Sequence, residues 1–385
     1  MEFEPIKEES MTSVERVLTA MELKEPDRVP VWPLIDFLPV NYYNITAQEM
    51  IEDPEKSQQA TEWIYHKLGG YDIAIAGGGM YMQYINPFPD FFSVYYLDWR
   101  LPGRMLDANA SPQLVEQSLS DPFITEKDYD KIIEDGLLWL ANFRRAGMMD
   151  MQRLSKIGAK VAENTVRWWS HFKVPTFSDG SAIPPFDLLS VFRGSTNFMK
   201  DIYRYPDKIK EVSEFLIDNL ILMGEYGVSM SQGKTILVGA VRASADFISI
   251  KNFEELFWPY FKKMVSKYVN DGFIVQLHMD TSWTDRLHYF RELPKGKIYM
   301  HIDERTDIFK AKEILGDHMC IQGNLKPSLF TIGTPTMVEK QTKEIIDKCA
   351  EGGGLFVGSE IPDDAKLENV KTMIDTCKTY GTYRK

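Results

Sequence analysis

The chain has 385 residues, 44% of them hydrophobic and 26% charged, which is ordinary globular usage and excludes a disordered, collagenous or coiled-coil chain. Its 44 basic and 56 acidic residues leave a net charge of −12. That balance argues against nucleic acid or an anionic membrane as the main partner, because both require a basic footprint.

In chain order, short apolar runs alternate with helical stretches. The runs are Val29 to Ile35, Tyr71 to Ala76, Val174 to Ser178, Thr235 to Ala240, Phe273 to His278, Lys297 to Ile302, His318 to Gln322 and Leu355 to Gly358. Short and apolar throughout, they read as strands buried on both faces of a parallel sheet. Between them, Thr46-Ala47-Gln48-Glu49 is a capping box. Phe253, Leu256, Phe257, Tyr260, Met264 and Tyr268 recur at helical spacing over Asn252 to Asn270. Thr334-Pro335 reads as a helix N-cap and first turn, with a helix over Thr336 to Cys349, and Gly352-Gly353-Gly354 follows it into the last strand. Eight such strands predict an α/β fold, a (β/α)₈ TIM barrel. At about 150 residues per domain the length is compatible with two or three domains, but the alternation predicts a single barrel over 1–385. Residues 80–163 are too long for one crossover and are expected to be an insertion after the second strand, with extra helices. No G-x-G-x-x-G follows a predicted strand, so a dinucleotide fold lacks its signature.

The three cysteines, Cys320, Cys349 and Cys377, are too few for a disulfide framework and fit a reducing compartment. The first residues lack an apolar signal segment. The longest apolar stretch, around Phe215 to Met223, is broken by Asp218 and Asn219 and too short for a bilayer. A cytoplasmic protein is expected.

In such a barrel, chemistry belongs where strands end at the C-terminal face. These ends carry Asp36, Gly77-Gly78-Gly79, Asp179, Arg242 with Asp246, His278-x-Asp280, His301-x-Asp303-Glu304, Gly323-Asn324 and Ser359-Glu360. His278 and Asp280 can face one ion, and zinc accepts an imidazole nitrogen and a carboxylate oxygen. Glu360 or Cys320 would complete that set. The alternative is a rim histidine beside a helix-capping Asp280. His301 and Asp303 are expected to pair within the barrel, with Asp303 or Glu304 available as an acid or base. The glycine run lacks the lysine of a phosphate loop.

Several segments are similar to one known family. Arg16-Val17-Leu18-Thr19-Ala20-Met21 through Pro26-Asp27-Arg28-Val29-Pro30-Val31-Trp32 resembles the opening of the uroporphyrinogen decarboxylase superfamily. So do Pro185-Phe186-Asp187 with Arg193-Gly194, Gly323-Asn324-Leu325, Gly333-Thr334-Pro335 and Ile361-Pro362. The resemblance implies a (β/α)₈ barrel and one of two activities. Porphyrin decarboxylases carry arginines after this opening, but here Trp32 is followed by Pro33-Leu34-Ile35-Asp36-Phe37-Leu38, with no arginine before Arg100. An octacarboxylate needs cationic partners, so decarboxylation is disfavoured. In the other branch, corrinoid-linked methyltransferases acting on thiols use a zinc site of His-x-Cys plus a later Cys. Those cysteines align with Asp280 and Ser359. The harder set of His278, Asp280 and Glu360 suits a Lewis acid acting on oxygen.

The resemblance therefore implies a zinc-dependent O-demethylating methyltransferase. It would take a methyl group from an aromatic methyl ether and pass it to the Co(I) corrinoid (cobalamin) of a partner corrinoid protein. Trp32, Asp36, Arg193 and Asn324 are the expected substrate-contacting residues, and Asp303 and Glu304 the expected catalytic acids. The aromatics Phe88, Phe91, Phe92, Tyr95, Tyr96 and Trp99 would wall the pocket or dock the partner. The alternatives are the decarboxylase, methyl transfer from an N- or S-methyl donor, and a non-catalytic binding member.

Overall fold

The structure is a computed structural model that describes residues 9–76, 99–103, 106–114, 124–136 and 151–383. Its principal sheet is all parallel. β1 (Val31–Ile35) lies beside β9 (Leu355–Ile361), followed in order by β8 (Cys320–Asn324), β7 (Ile298–Ile302), β6 (Ile274–Met279), β5 (Thr235–Ala240) and β4 (Gly180–Ala182). A separate antiparallel ribbon pairs β2 (Trp99–Arg100) with β3 (Gln113–Leu114).

The gap between β1 and β4 is filled by residues 71–76 and 174–178, the second and third expected strands. The Asp72 amide donates to Val31 O at 2.8 Å, Ala74 N to Pro175 O at 3.0 Å and Phe177 N to Ala74 O at 2.8 Å. Ala74 and Thr176 form a parallel bridge. The ring is thus closed with eight members, two of them irregular. Pro175 has no amide to donate, and Ser178 adopts φ +56°, so residues 174–178 cannot sustain a regular ladder with residues 71–76. Beyond that kink the third strand resumes at Gly180–Ala182. Asp179 is therefore not at the mouth, as the sequence led us to expect. It is buried and accepts the amides of Lys234 and Thr235, at the start of β5.

Side-chain alternation divides the core. Val275, Leu277, Met300, Ile302 and Val357 point outward and pack under the helices. Trp32, Ile73, Phe177, Tyr299, Cys320 and Phe356 point inward and fill the barrel. Helix Ser13–Met21 adds Val17, Ala20 and Met21 to that inner cluster and so plugs the N-terminal end. The capping box at Thr46 and the Thr334 N-cap are both formed. The helix expected over Asn252 to Asn270 is present, but it widens into a π turn at Phe253–Phe257 before continuing as Trp258–Asn270. Pro259 lies just past the wide turn and supplies no amide to the preceding turn. Gly77 to Gly79 and most of the expected insertion, including Phe88 to Tyr96, lie outside the described residues. Among those described, no helix is long and apolar enough to cross a membrane.

Asp72 anchors the irregular closure. Its carboxylate is fully buried and receives Arg16 Nη1 at 2.7 Å, Arg28 Nη1 at 2.7 Å, Ser13 Oγ at 2.9 Å and the Val31 amide at 2.7 Å. Burial opposes its charge, but Arg28 and Arg16 outweigh burial and hold it well below the ordinary carboxylate range. Asp72→Ala leaves two buried guanidinium groups short of a partner. It is expected to cost about 3–5 kcal/mol in urea unfolding, and a loss under about 1 kcal/mol would contradict this role. Because the folded pKa is depressed, the stabilisation is present above the unfolded value and disappears as pH falls below it.

Candidate metal centre at the barrel mouth

The parallel ladder sets His278 of β6 against His301 of β7, with Gly239 of β5 on the other side of His278. All three sit near the C-terminal ends of their strands. The two imidazoles meet Nδ1 to Nδ1 at 2.8 Å. At the opposite edge of its ring, His278 Nε2 faces Asp280 Oδ1 at 3.2 Å and Glu360 Oε1 at 3.4 Å. Glu360 reaches there from β9, which runs on to Ile361 and so carries this residue within the strand. Ligand atoms of His278, His301 and Glu360 all lie within 4.8 Å of one another.

Charge and hydrogen bonding agree. Burial opposes protonation of His278, but Asp280, Glu360 and Asp36 outweigh it and push the imidazole up to about 9. Burial and the neighbouring charge on His278 push His301 down to about 3. The cationic His278 therefore donates from Nδ1 to a neutral His301 and from Nε2 to the carboxylates. Burial and the neighbouring charges of Asp280 and Asp303 raise the Glu360 carboxyl, against the pull of His278. A proton on Nε2 occupies the position that a metal ion would take between one nitrogen and two carboxylates.

The remaining expected residues fall around this centre in different ways. Asp36 follows β1 and contributes to the field on His278. Trp32 is buried beneath the pair, its ring centroid 5.9 Å from that of His301, as floor and not as open surface. Asp303 does not pair with His301. Its carboxylate receives the Thr281 and Arg305 amides at 3.1 and 2.8 Å and so shapes the loop after β7. Asn324 donates to the carbonyls of Asp303 and Thr306 at 3.1 and 2.8 Å and tethers that same loop. Glu304 is exposed at the rim. Arg193 is engaged by Asp201 at 2.6 Å and Glu126 at 3.0 Å. Cys320 pairs in register with Tyr299, two residues below His301, and is absent from the donor cluster.

The sequence singled out His301 but gave it the wrong partner, and it gave Asp187 no role at the site. His301 faces His278, and the signal for this was two H-x-D motifs at matching distances from their strand ends. Asp187 opens helix Pro185–Arg193 and accepts the Val241 and Arg242 amides at 3.2 and 2.8 Å, fixing the turn after β5. Burial is the main force raising its carboxyl to about 6. Gly239 leaves the wall beside His278 open, since a Cβ there would meet nothing within 4 Å.

The model of the uroporphyrinogen decarboxylase (URO-D) family matches residues 173–380, more than half of the chain, including β4 through β9 and every residue of the donor cluster. The chain belongs to the uroporphyrinogen decarboxylase family. Its curated relatives include the uroporphyrinogen decarboxylase of Trichodesmium erythraeum, 21% identical over 188 residues, covering 48% of this chain and 51% of that one. Another, from Chlorobium phaeobacteroides, is 24% identical over 277 residues, covering 68% of this chain and 71% of the relative. Against the first of these the chain spans about half the relative's length. Among solved structures, a methyltransferase from Methanosarcina mazei superposes with a TM-score of 0.67 at 16% identity, covering 96% of this chain and 99% of that one. At that identity the likeness establishes the fold, and it extends the barrel of the family across nearly the whole chain.

In the metal-free protein, imidazole NMR is expected to show His278 losing its proton near pH 9 while His301 stays neutral down to acidic pH. Since the folded pKa of His278 is raised, its contribution to stability is full below the unfolded value of about 6.5 and is lost as pH rises through about 9. Asp280→Asn should lower the His278 midpoint, and an unchanged midpoint would contradict the assigned field.

Proposed function

We propose that this member of the family is a metal-dependent methyltransferase that demethylates a methyl ether and delivers the methyl group to a corrinoid protein. The observation that carries the reading is the donor set at the mouth, with Asp280 and Glu360 gathered on His278 Nε2 and His301 beside it. The His278, His301 and Glu360 group, or His278 Nε2 with its two carboxylates, fits a borderline ion such as zinc. Among the described residues no thiol joins them, which favours an oxygen-centred leaving group over thiol activation. The neighbouring methyltransferase fold supports the reading, and so does the absence of any cation from residues 33–38, where Asp36 stands.

His278, Asp280 and Glu360 would hold the ion, with His301 either completing the set or fixing the His278 ring through Nδ1. When bound, zinc supplies Lewis acidity that stabilises negative charge on the oxygen bearing the methyl group. The partner's reduced corrinoid would supply the nucleophile for the methyl carbon, and the C–O electron pair would stay on the oxygen. A phenolate has a conjugate pKa near 10, so modest electrophilic help suffices. Glu304, exposed at the rim, is the proposed source of the proton that neutralises it, since Asp303 is committed to the Thr281 and Arg305 amides. Asp36 would line the substrate's approach from β1, over the floor formed by Trp32.

Metal analysis of protein purified with zinc is expected to give about one ion per chain, lost in His278→Ala. His301→Ala should weaken metal binding by about 10- to 100-fold if His301 orients the ligand. Because the ion displaces the Nε2 proton, affinity should fall as pH drops below about 9. Methylation of a Co(I) corrinoid protein with a panel of methoxyarenes tests the reaction itself. Metal-free protein that demethylates no ether would overturn the proposal.

A further inference from the structure

Thr281 directly follows Asp280 and adopts φ +67°. The other non-glycine residues with positive φ among those described are Leu23, Lys173, Ser178, Gln232 and Lys297. None of them is branched at Cβ. A second heavy atom on Cβ makes this backbone region an outlier, and such a conformation persists only where the surroundings enforce it.

The surroundings do so here from both neighbouring strand ends. The Thr281 amide donates to Asp303 Oδ2 at 3.1 Å, and Thr306 Oγ1 donates to the Thr281 carbonyl at 3.0 Å, both from the loop after β7. The peptide ahead of it is held as firmly. The Asp280 amide donates to Ala240 O of β5 at 3.3 Å. The Asp280 carbonyl accepts Trp283 Nε1 at 2.6 Å and also the Thr281 hydroxyl. Fully buried Ser244, in the turn after β5, lies 2.6 Å from that hydroxyl oxygen. Since Thr281 spends its proton on Asp280, Ser244 is the donor.

The consequence falls on Asp280. It stands two residues beyond His278, on the same side of the strand, with Oδ1 3.2 Å from His278 Nε2. The reversed φ at Thr281 turns the chain out of the strand direction within one residue, so Asp280 remains at the mouth beside the imidazole. A glycine would adopt this φ without strain. What glycine lacks is the hydroxyl that ties the Asp280 carbonyl to Ser244.

We propose that Thr281 is a positioning residue of the metal centre, whose hydroxyl joins the Asp280 carbonyl to Ser244 and so aims the Asp280 carboxylate at His278 Nε2. It acts through Asp280 and touches neither ion nor substrate. This deepens the reading of the mouth as a metal centre and rests on it for what Asp280 binds. Backbone strain is accepted at this residue in exchange for aim, so the hydroxyl and the branched Cβ have separable effects.

The test compares wild type with Thr281→Ser, Thr281→Gly and Thr281→Val in three measurements. These are the urea unfolding midpoint of the metal-free protein, zinc affinity by competition with a chromophoric chelator, and proton NMR of the imidazole N–H groups in metal-free protein carrying isotope-labelled histidine. Thr281→Ser keeps the hydroxyl and is expected to bind zinc as wild type does. Thr281→Gly and Thr281→Val both lose it and should bind roughly 10- to 100-fold more weakly, the range for loss of a group that orients a ligand. Their stabilities should differ, with the glycine variant unfolding at higher urea because it carries no strain. The His278 Nε2 proton, which faces Asp280, should move upfield in Thr281→Gly and stay in place in Thr281→Ser. Zinc affinity that follows the unfolding midpoint across the series, instead of the hydroxyl, would assign Thr281 to the fold alone and overturn the inference. Should the valine variant fail to fold, the other two still decide, because a glycine variant with wild-type affinity and an unmoved Nε2 signal overturns it as well. A wild type that binds no zinc, with the Nε2 signal moved by Thr281→Gly and not by Thr281→Ser, would uphold the positioning and sink the metal centre. Zinc held equally by wild type and Thr281→Gly would do the reverse.

Discussion

A buried carboxylate holds this barrel shut. Two of the eight staves cannot make regular ladders, and a ring with two weak members would open at that point. Asp72 meets the problem with electrostatics in place of backbone pairing. Its oxygens bind the Val31 amide on one side and two guanidinium groups from the N-terminal region on the other. The same contacts draw helix Ser13–Met21 over the barrel floor, so closure of the ring and sealing of its lower end are one event. Everything at the mouth, including the register that opposes His278 to His301, depends on that closure.

The mouth applies the opposite logic. Asp72 is satisfied by cations belonging to the fold, whereas the carboxylates around His278 are only partly compensated by one imidazolium. Asp280 and Glu360 act on a single nitrogen edge, Asp36 adds to the field on the same ring, and Asp303 adds to the charge near Glu360. A site that concentrates negative charge on one histidine nitrogen favours a cation there. The fold tolerates the excess because the inner residues below are either aromatic, as Trp32 and Tyr299 are, or uncharged, as Gln276 and Gln322 are.

Much of this was legible in the chain. The regular strands were read to within a few residues, because parallel strands buried on both faces are short apolar runs bounded by caps and glycines. Thr46, Thr334 and Gly352 to Gly354 marked their element ends through local chemistry. His278, Asp280 and Glu360 could be placed in one site because each stands at a strand end of a barrel. Long-range register was not legible. Nothing local says that His301 turns to His278 instead of Asp303, or that Asp303 spends its carboxylate on loop amides. Asp179 was misplaced for a similar reason. The Ser178 kink and the resumption of the strand at Gly180 accompany what Asp179 binds at the start of the neighbouring strand, more than fifty residues on. Asp187 was overlooked because its role is to hold a turn that begins more than fifty residues later.

Gly239 has a consequence for how such a protein diversifies. It lies in the wall beside His278, where an added Cβ would meet nothing within 4 Å. Its backbone conformation is not one reserved for glycine, so a Cβ is accommodated there without bending the strand. The bulk that a ligand is permitted at this point is therefore an adjustable quantity, separable from both stability and the donor set. Alanine and then larger residues at this one position would form a graded series of smaller chambers beside an unchanged donor set. A ligand trimmed to match each would create matched enzyme–substrate pairs that ignore one another.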